Sequence, residues 1–282
     1  MSLQMTIPTH IPVLVNEVIE GLQIQPGGRY IDCTVGTGGH ASAILEKSSP
    51  GGQLLGIDAD PEAIRASKDK LRPYGEAALV VNDNFTNLEA ICSRHNFRPV
   101  HGILFDLGVS SLQLEADGRG FSFLHDAPLD MRFSPTREVT AADIVNTSPE
   151  GELAHLIENY SEEHYSRKIA KYIVRNRPIN TTIQLARVVE QAIGGRRGKI
   201  HPATRTFQAL RIAVNRELEN LAQALKQAVN LLGFEGRIAV ISYHSLEDRL
   251  VKEFLRQESA LMAVTRKVIR PSTAEVQFNP RS

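Results

Sequence analysis

The chain has 282 residues, 42% of them hydrophobic, and its 32 Lys+Arg balance 32 Asp+Glu, so net charge alone names no partner. That length carries one large or two modest domains with a sizeable core. Two cysteines, Cys33 and Cys92, make no disulfide framework and have no metal-type neighbours. No 18-residue apolar run is present, and Met1 to Val15 lacks the plan of a secretory signal, so a soluble cytoplasmic chain without a membrane partner or a metal is expected.

Pro12 to Leu22 predicts a short leading helix, with apolar residues at Leu14, Val15, Val18, Ile19 and Leu22. Tyr30-Ile31-Asp32-Cys33-Thr34-Val35 then reads as a strand that breaks into Gly36-Thr37-Gly38-Gly39-His40, with a helix over Ala41 to Lys47. Strand, glycine turn and helix are how an α/β sheet builds a nucleotide site, because the glycines let the backbone approach a ligand that the helix N-terminus faces. Gly36-x-Gly38-x-x-Ala41 fits the dinucleotide fingerprint, with Asp58 twenty residues after Gly38 as a ribose acceptor. The same letters fit the acid-x-x-x-Gly-x-Gly loop of S-adenosylmethionine (SAM) enzymes, with Asp32 as the acid, and an ordinary tight turn is a third reading. Asp32 favours SAM, since an acid there can pair with the ammonium of a methionine moiety and a dinucleotide has no cation at that point.

Gln53 to Ile57 predicts a second strand ending at Asp58, and Asp60-Pro61 opens a helix to about Leu71. Ala77 to Val81 is a third strand, followed by Asn82-Asp83-Asn84-Phe85 and by Thr86-Asn87-Leu88-Glu89, which has the form of a capping box. Val100 to Phe105 is a fourth, stopping at Asp106. Strands and helices alternating at this spacing predict a doubly wound, Rossmann-like parallel sheet, whose ligands bind beyond the carboxyl ends of its strands. Asp32, Asp58, Phe85 and Asp106 all fall there. Phe85 is read either as a platform for adenine or as core, and His40 either as a ligand contact or as a structural histidine. Asp106, ahead of the small-residue loop Leu107 to Ser111, is either a loop cap or the catalytic group that accepts a hydrogen bond from an exocyclic amine and holds its nitrogen in line with a methyl donor.

From Ser111 to about Asn215 no strand is expected; residues 150–159, 164–175, 182–193 and 204–225 read as helices. A strand returns over Gly236 to Tyr243, a helix follows from His244, and the tail from Ser259 reads as extended. The expected organisation is a SAM-dependent methyltransferase domain over 1–110 and 216–282, split by an all-helical insertion over 111–215. Charge is segregated: His164 to Arg216 holds twelve Lys/Arg and one acid, Glu190, a net of +11 against −11 elsewhere. Arg196, Arg197 and Lys199 in the Gly194 to His201 loop, and Arg205 beyond it, are candidate phosphate contacts for a folded RNA, the bland reading being a solvated loop. Tyr165 and Tyr172 accompany Arg167, Lys168, Lys171 and Arg175 on one of these helices.

Gly38-Gly39-His40, Asp106-Leu107-Gly108-Val109-Ser110-Ser111 with Gln113-Leu114, Arg119 to Phe123, Pro128 to Arg132, His201 to Gln208 and His244 to Arg249, in this order, resemble the RsmH (formerly MraW) family. Members are bacterial SAM-dependent methyltransferases of cytosine N4 in small-subunit (16S) ribosomal RNA, and the resemblance runs from about His10 to Arg256. It implies that Gly38, Gly39, His40, Asp58, Phe85, Asp106 and Gln113 line the SAM site. It also implies that the helical insertion recognises rRNA, free or in the assembled small subunit, at a cytosine of the decoding centre in the P site, and it leaves a homodimer open. Thr34 stands where many SAM loops carry their first glycine, and no Pro-Pro-aromatic run follows Asp106. The family's basic C-terminal end continues beyond Asn279 to Ser282, implying a truncated chain. An NAD-dependent oxidoreductase with the same glycine turn, or a non-catalytic RNA-binding assembly factor, are the competing readings.

Overall fold

The computed structural model describes residues 12–115, 118–195, 200–265 and 267–279. The chain separates into two compact units, one of residues 1–108, 222–243 and 251–282, the other of 109–221 and 244–250.

In the first unit β1 (Arg29–Asp32), β2 (Gln53–Asp58), β3 (Ala78–Asn82), β4 (Val100–Asp106) and β5 (Leu232–Ile241) form one parallel sheet in the order β3-β2-β1-β4-β5. Its central strands are apolar almost throughout, as strands covered on both faces must be. Tyr30, Leu54 and Leu104 pack with Val18, Leu22, Ala41, Ile44, Ile64 and Leu71 from on or beside α1 (Val15–Gly21), α2 (Gly39–Ser48) and α3 (Pro61–Leu71). Alternation sends Ile31, Leu55, Ile103 and Phe105 to the opposite face, all fully buried. There Phe105 meets the ring edge of Phe85, just ahead of α4 (Leu88–Arg94). Burial of this kind stabilises by about 1.5–3 kcal/mol per large apolar side chain. The order reverses at β1, which has β2 on one side and β4 on the other, so the crevice of the sheet opens beyond Asp32 and Asp106.

Asp60 caps α3 as expected, accepting the Glu62 N–H, with Pro61 in the first turn. The leading helix starts at Val15 rather than Pro12. The capping box at Thr86 is not formed. Asn84 accepts the Thr86 N–H and closes a 3₁₀ turn over Phe85–Asn87; Gln227 then accepts the Glu89 N–H at 2.9 Å and donates to the Thr86 carbonyl at 2.6 Å. A distant glutamine replaces the local cap, which no nearest-neighbour pattern reveals.

The second unit is helical: α5 (Ser111–Glu115), α6 (Ala141–Thr147), α7 (Glu150–Ser161), α8 (Ser166–Arg175), α9 (Thr182–Ile193) and α10 (Ala203–Asn215), with the start of α11 (Glu217–Leu231) and of α12 (Ser245–Gln257). Ile157, Ile169, Ile173, Leu185, Val189, Phe207 and Leu210 form its core. The expected helix over 204–225 is two helices, broken at Arg216 with φ +53°. The carbonyls left at the end of α10 are taken by Arg137, which donates to Val214 and Asn215 at 2.8 and 3.0 Å. The weakly patterned tail, expected to be extended, carries α13 (Thr273–Phe278), capped by Ser272 and tied to the first unit by Glu275 accepting the Leu14 N–H. Among the described residues no helix is long and apolar enough to cross a membrane.

Candidate cofactor and active site

The glycine turn places its backbone N–H groups against two carboxylates, Asp32 and Asp58. Gly36 and Gly38 have φ of +51° and +83°, and a Cβ on Gly39 would lie 2.3 Å from Pro12 Cγ, so the turn needs residues without side chains. Asp32, 1% exposed, accepts the Thr34 N–H at 3.1 Å. The Thr34 hydroxyl accepts the Asp106 N–H at 2.8 Å, and the Gly36 N–H donates to Asp58 at 2.9 Å. Thr34, in the position of the missing glycine, thereby ties the turn to the end of β4. Burial pushes the Asp32 carboxyl up to about 7, opposed by His40 and the Thr34 N–H. Burial pushes Asp58 up to about 6, opposed by the N–H groups of Asp60 and Gly36.

His40 is buried at the start of α2, and its Nε2–H donates to the Val13 carbonyl at 2.8 Å. With that proton fixed, Nδ1 stands 3.4 Å from Asp106 Oδ2. Asp106 Oδ1 accepts the hydroxyl of Tyr243 at 2.9 Å. Tyr243, two residues past β5, carries no sequence signal of its own; the register pairing Asp106 with Ile241 is what brings it alongside. Phe85, three residues past β3, is partly exposed, its ring centroid 5.9 Å from that of Phe105 in an edge-on arrangement.

Gln113 belongs to the second unit, 5% exposed, with Oε1 accepting the Ser110 N–H at the start of α5. Arg205 is half-exposed and stands 3.6 Å from buried Glu163. Arg196, Arg197 and Lys199 lie outside the described residues. The structure adds a basic stripe. Arg167, Lys168, Lys171 and Arg175 are exposed on α8, whose opposite face buries Ile169, Ala170 and Ile173. Glu217, His244 and Glu247 also converge, their ligand-type atoms within 4.8 Å of one another. Arg211 donates to both Glu217 oxygens at 2.8 and 2.9 Å, so the guanidinium supplies the positive charge of this cluster. His244 Nε2 lies 3.2 Å from Glu247, off the hydrogen-bond axis.

A parallel sheet in this order, with a glycine turn after β1 and acids ending β1, β2 and β4, is a Rossmann-like α/β arrangement, the kind whose ligands bind beyond the carboxyl ends of the strands. The chain belongs to the MraW methylase family, which it matches over residues 8–282. It is 55% identical over 296 residues to the ribosomal RNA small subunit methyltransferase H of Dehalococcoides mccartyi, covering 99% of this chain and 85% of that protein. It is 50% identical over 273 residues to the protein of that name from Cyanothece sp., covering 97% and 91%. The Thermomicrobium roseum protein is 50% identical over 295 residues, covering 97% and 90%. The chain is accordingly a methyltransferase.

Proposed function

We propose that this enzyme transfers a methyl group from SAM to the N4 amine of a cytosine in the decoding centre, at the P site of small-subunit ribosomal RNA, in the cytoplasm. The relatives' names support the RNA, and the charge of the strand ends supports the cofactor. Asp32, Asp58 and Asp106 converge with His40 as their basic neighbour, and burial resists the ionisation of Asp32 and Asp58. Such a site gains from a ligand bringing ammonium and sulfonium charge and repels a pyrophosphate, so SAM fits it and a dinucleotide does not. That is the observation carrying the reading.

Asp32 would face the methionine ammonium, Asp58 would accept from ribose hydroxyls, and Phe85 would offer a ring to adenine, with Gly36, Gly38 and Gly39 leaving room for close approach. Bound there, SAM supplies a methyl whose bond to sulfur breaks as the bond to nitrogen forms. The cytosine amine is a poor nucleophile because its lone pair is delocalised into the ring. Asp106 accepts a hydrogen bond from the N4–H, turns the nitrogen toward the methyl and offsets the positive charge that develops on it. The proton leaves N4 as the methyl arrives, taken by the Asp106 carboxylate or by water. The base must be unstacked to enter. The exposed stripe of α8, with Arg205, Arg196, Arg197 and Lys199, supplies phosphate contacts.

The test is transfer of labelled methyl from SAM to small subunits from a strain lacking this modification, with naked small-subunit rRNA and DNA alongside. N4-methylcytidine after nucleoside digestion is the expected product. SAM binding without labelling of any RNA would remove the methyl-transfer reading for these substrates and leave an RNA-binding factor.

A further inference from the structure

Asp106 is followed by Leu107-Gly108-Val109, so the aromatic residue that a Pro-Pro-aromatic run would set beside the acid is missing from its own segment. The neighbouring strand delivers one. We propose that Tyr243 is the residue that receives the target base in this active site, assembled with Asp106 across β4 and β5. This rests on the reading above, methyl transfer to a nucleobase amine.

Four observations carry it. The Tyr243 hydroxyl donates to Asp106 Oδ1 at 2.9 Å, while Oδ2 of the same carboxylate faces His40 at 3.4 Å, so the phenol and the imidazole together set the carboxylate plane. The ring reaches that position over Gly108: a Cβ there would lie 3.1 Å from Tyr243 Cδ2, and φ at Gly108 is +102°, a conformation that L side chains rarely adopt. The ladder fixes the pairing, since Asp106 opposes Ile241 and the Leu107 N–H donates to the Ile241 carbonyl. Tyr243 is 46% exposed, whereas Phe105, on the same strand as Asp106, is fully buried. The Tyr243 ring is tethered by its hydroxyl to the reacting carboxylate and keeps a large part of its surface in water, at the strand ends where substrate enters.

Aromatic faces receive unstacked bases of every type, and removal of such a ring weakens binding by roughly 10- to 100-fold. An unstacked base against Tyr243 has Asp106 beside it, so one residue positions the base and, through its hydroxyl, the acceptor. Tyr243→Ala is expected to lower kcat/KM for the RNA substrate by roughly 10- to 100-fold while the dissociation constant for SAM stays within about twofold. Tyr243→Phe, which keeps the ring and loses the donor to Asp106, is expected to restore most of the RNA KM and leave kcat reduced, with a shifted pH profile. The chain contains no tryptophan, so Tyr243→Trp supplies a single fluorophore, expected to be quenched when substrate RNA binds. Wild-type KM and kcat in a folded Tyr243→Ala, or unquenched emission from a Tyr243→Trp that still methylates RNA, would overturn the proposal. Should Tyr243→Ala not fold, the Phe and Trp variants decide. If the native enzyme methylates no RNA, the functional reading has failed instead, before any variant is compared.

Discussion

In the first unit the backbone places the chemistry, and in the second unit side chains place the backbone. Asp32, Asp58 and Asp106 each end a strand, and the parallel ladder sets them in register around one glycine turn. The second unit contains a long irregular stretch, residues 118–140, whose backbone meets one isolated antiparallel bridge, Pro128 to Thr181, rather than a ladder. Arg119 donates to the carbonyls of Arg132 and Phe133; Arg132 pairs with Asp130 and reaches the carbonyls of Pro135 and Arg137. Buried Asn215 donates to Met131 and Arg211 and accepts from Phe133. The Arg119 to Phe123 and Pro128 to Arg132 motifs thus contain carbonyl clamps within a helical core. A sequence motif can therefore mark a scaffold as firmly as it marks a reacting group.

The comparison breaks most visibly at Asp106. Asp106→Ala is expected to lower methyl transfer by a factor on the order of 10³ with the fold intact by circular dichroism, as loss of a positioned acid–base group does; full activity would remove Asp106 from the mechanism. Asn215→Ala is its counterpart in the second unit. It strands the Met131 carbonyl and the Phe133 N–H, and urea unfolding should show a loss of roughly 2–3 kcal/mol. An unchanged midpoint would deny the clamp role. Charge reversal of Arg167, Lys171 and Arg175 together should weaken RNA binding and flatten its salt dependence, by about 0.7–0.9 in log–log slope for each phosphate no longer neutralised, SAM binding being untouched. An unaltered slope would show that α8 faces away from the RNA. The smallest effect is expected for Gln227→Ala, which uncaps α4 and should cost about 1 kcal/mol in the same urea experiment.

The sheet is legible in the sequence because its signals are local: apolar runs, three of them ended by Asp, and a proline behind Asp60. The candidate cofactor residues of the first unit follow from their place at strand ends. The structure links Asp32 to Asp106 through Thr34, whose hydroxyl no sequence pattern singles out, with Gly36 holding Asp58 and His40 facing Asp106. Tyr243 is hidden because 137 residues separate it from Asp106 and only the β4–β5 register joins them. Arg216 looks like any helical arginine; its left-handed backbone depends on Asn215 and Arg137 reaching other segments. The box Thr140-x-x-Asp143 that caps α6 is a local signal too, but it lies in a stretch whose irregular surroundings hide where the helix begins.

The central claim is that the strand-end carboxylates select a cationic cofactor, and calorimetric titration of SAM and NAD from pH 5.5 to 8.5 tests it most directly. Asp32 and Asp58 are held near about 7 and about 6 in the fold, above their unfolded range near about 4. Without ligand the folded protein therefore binds extra protons in that window, and its stability falls as pH rises toward about 7. A cation favours the ionised carboxylates, so SAM affinity should rise with pH to about 7.5, with protons released on binding, and decline as the SAM amine itself loses its proton near about 8. Asp32→Asn should flatten the rise, and NAD should show no measurable binding. A pH-independent SAM affinity, or NAD binding as tightly as SAM, would contradict the account.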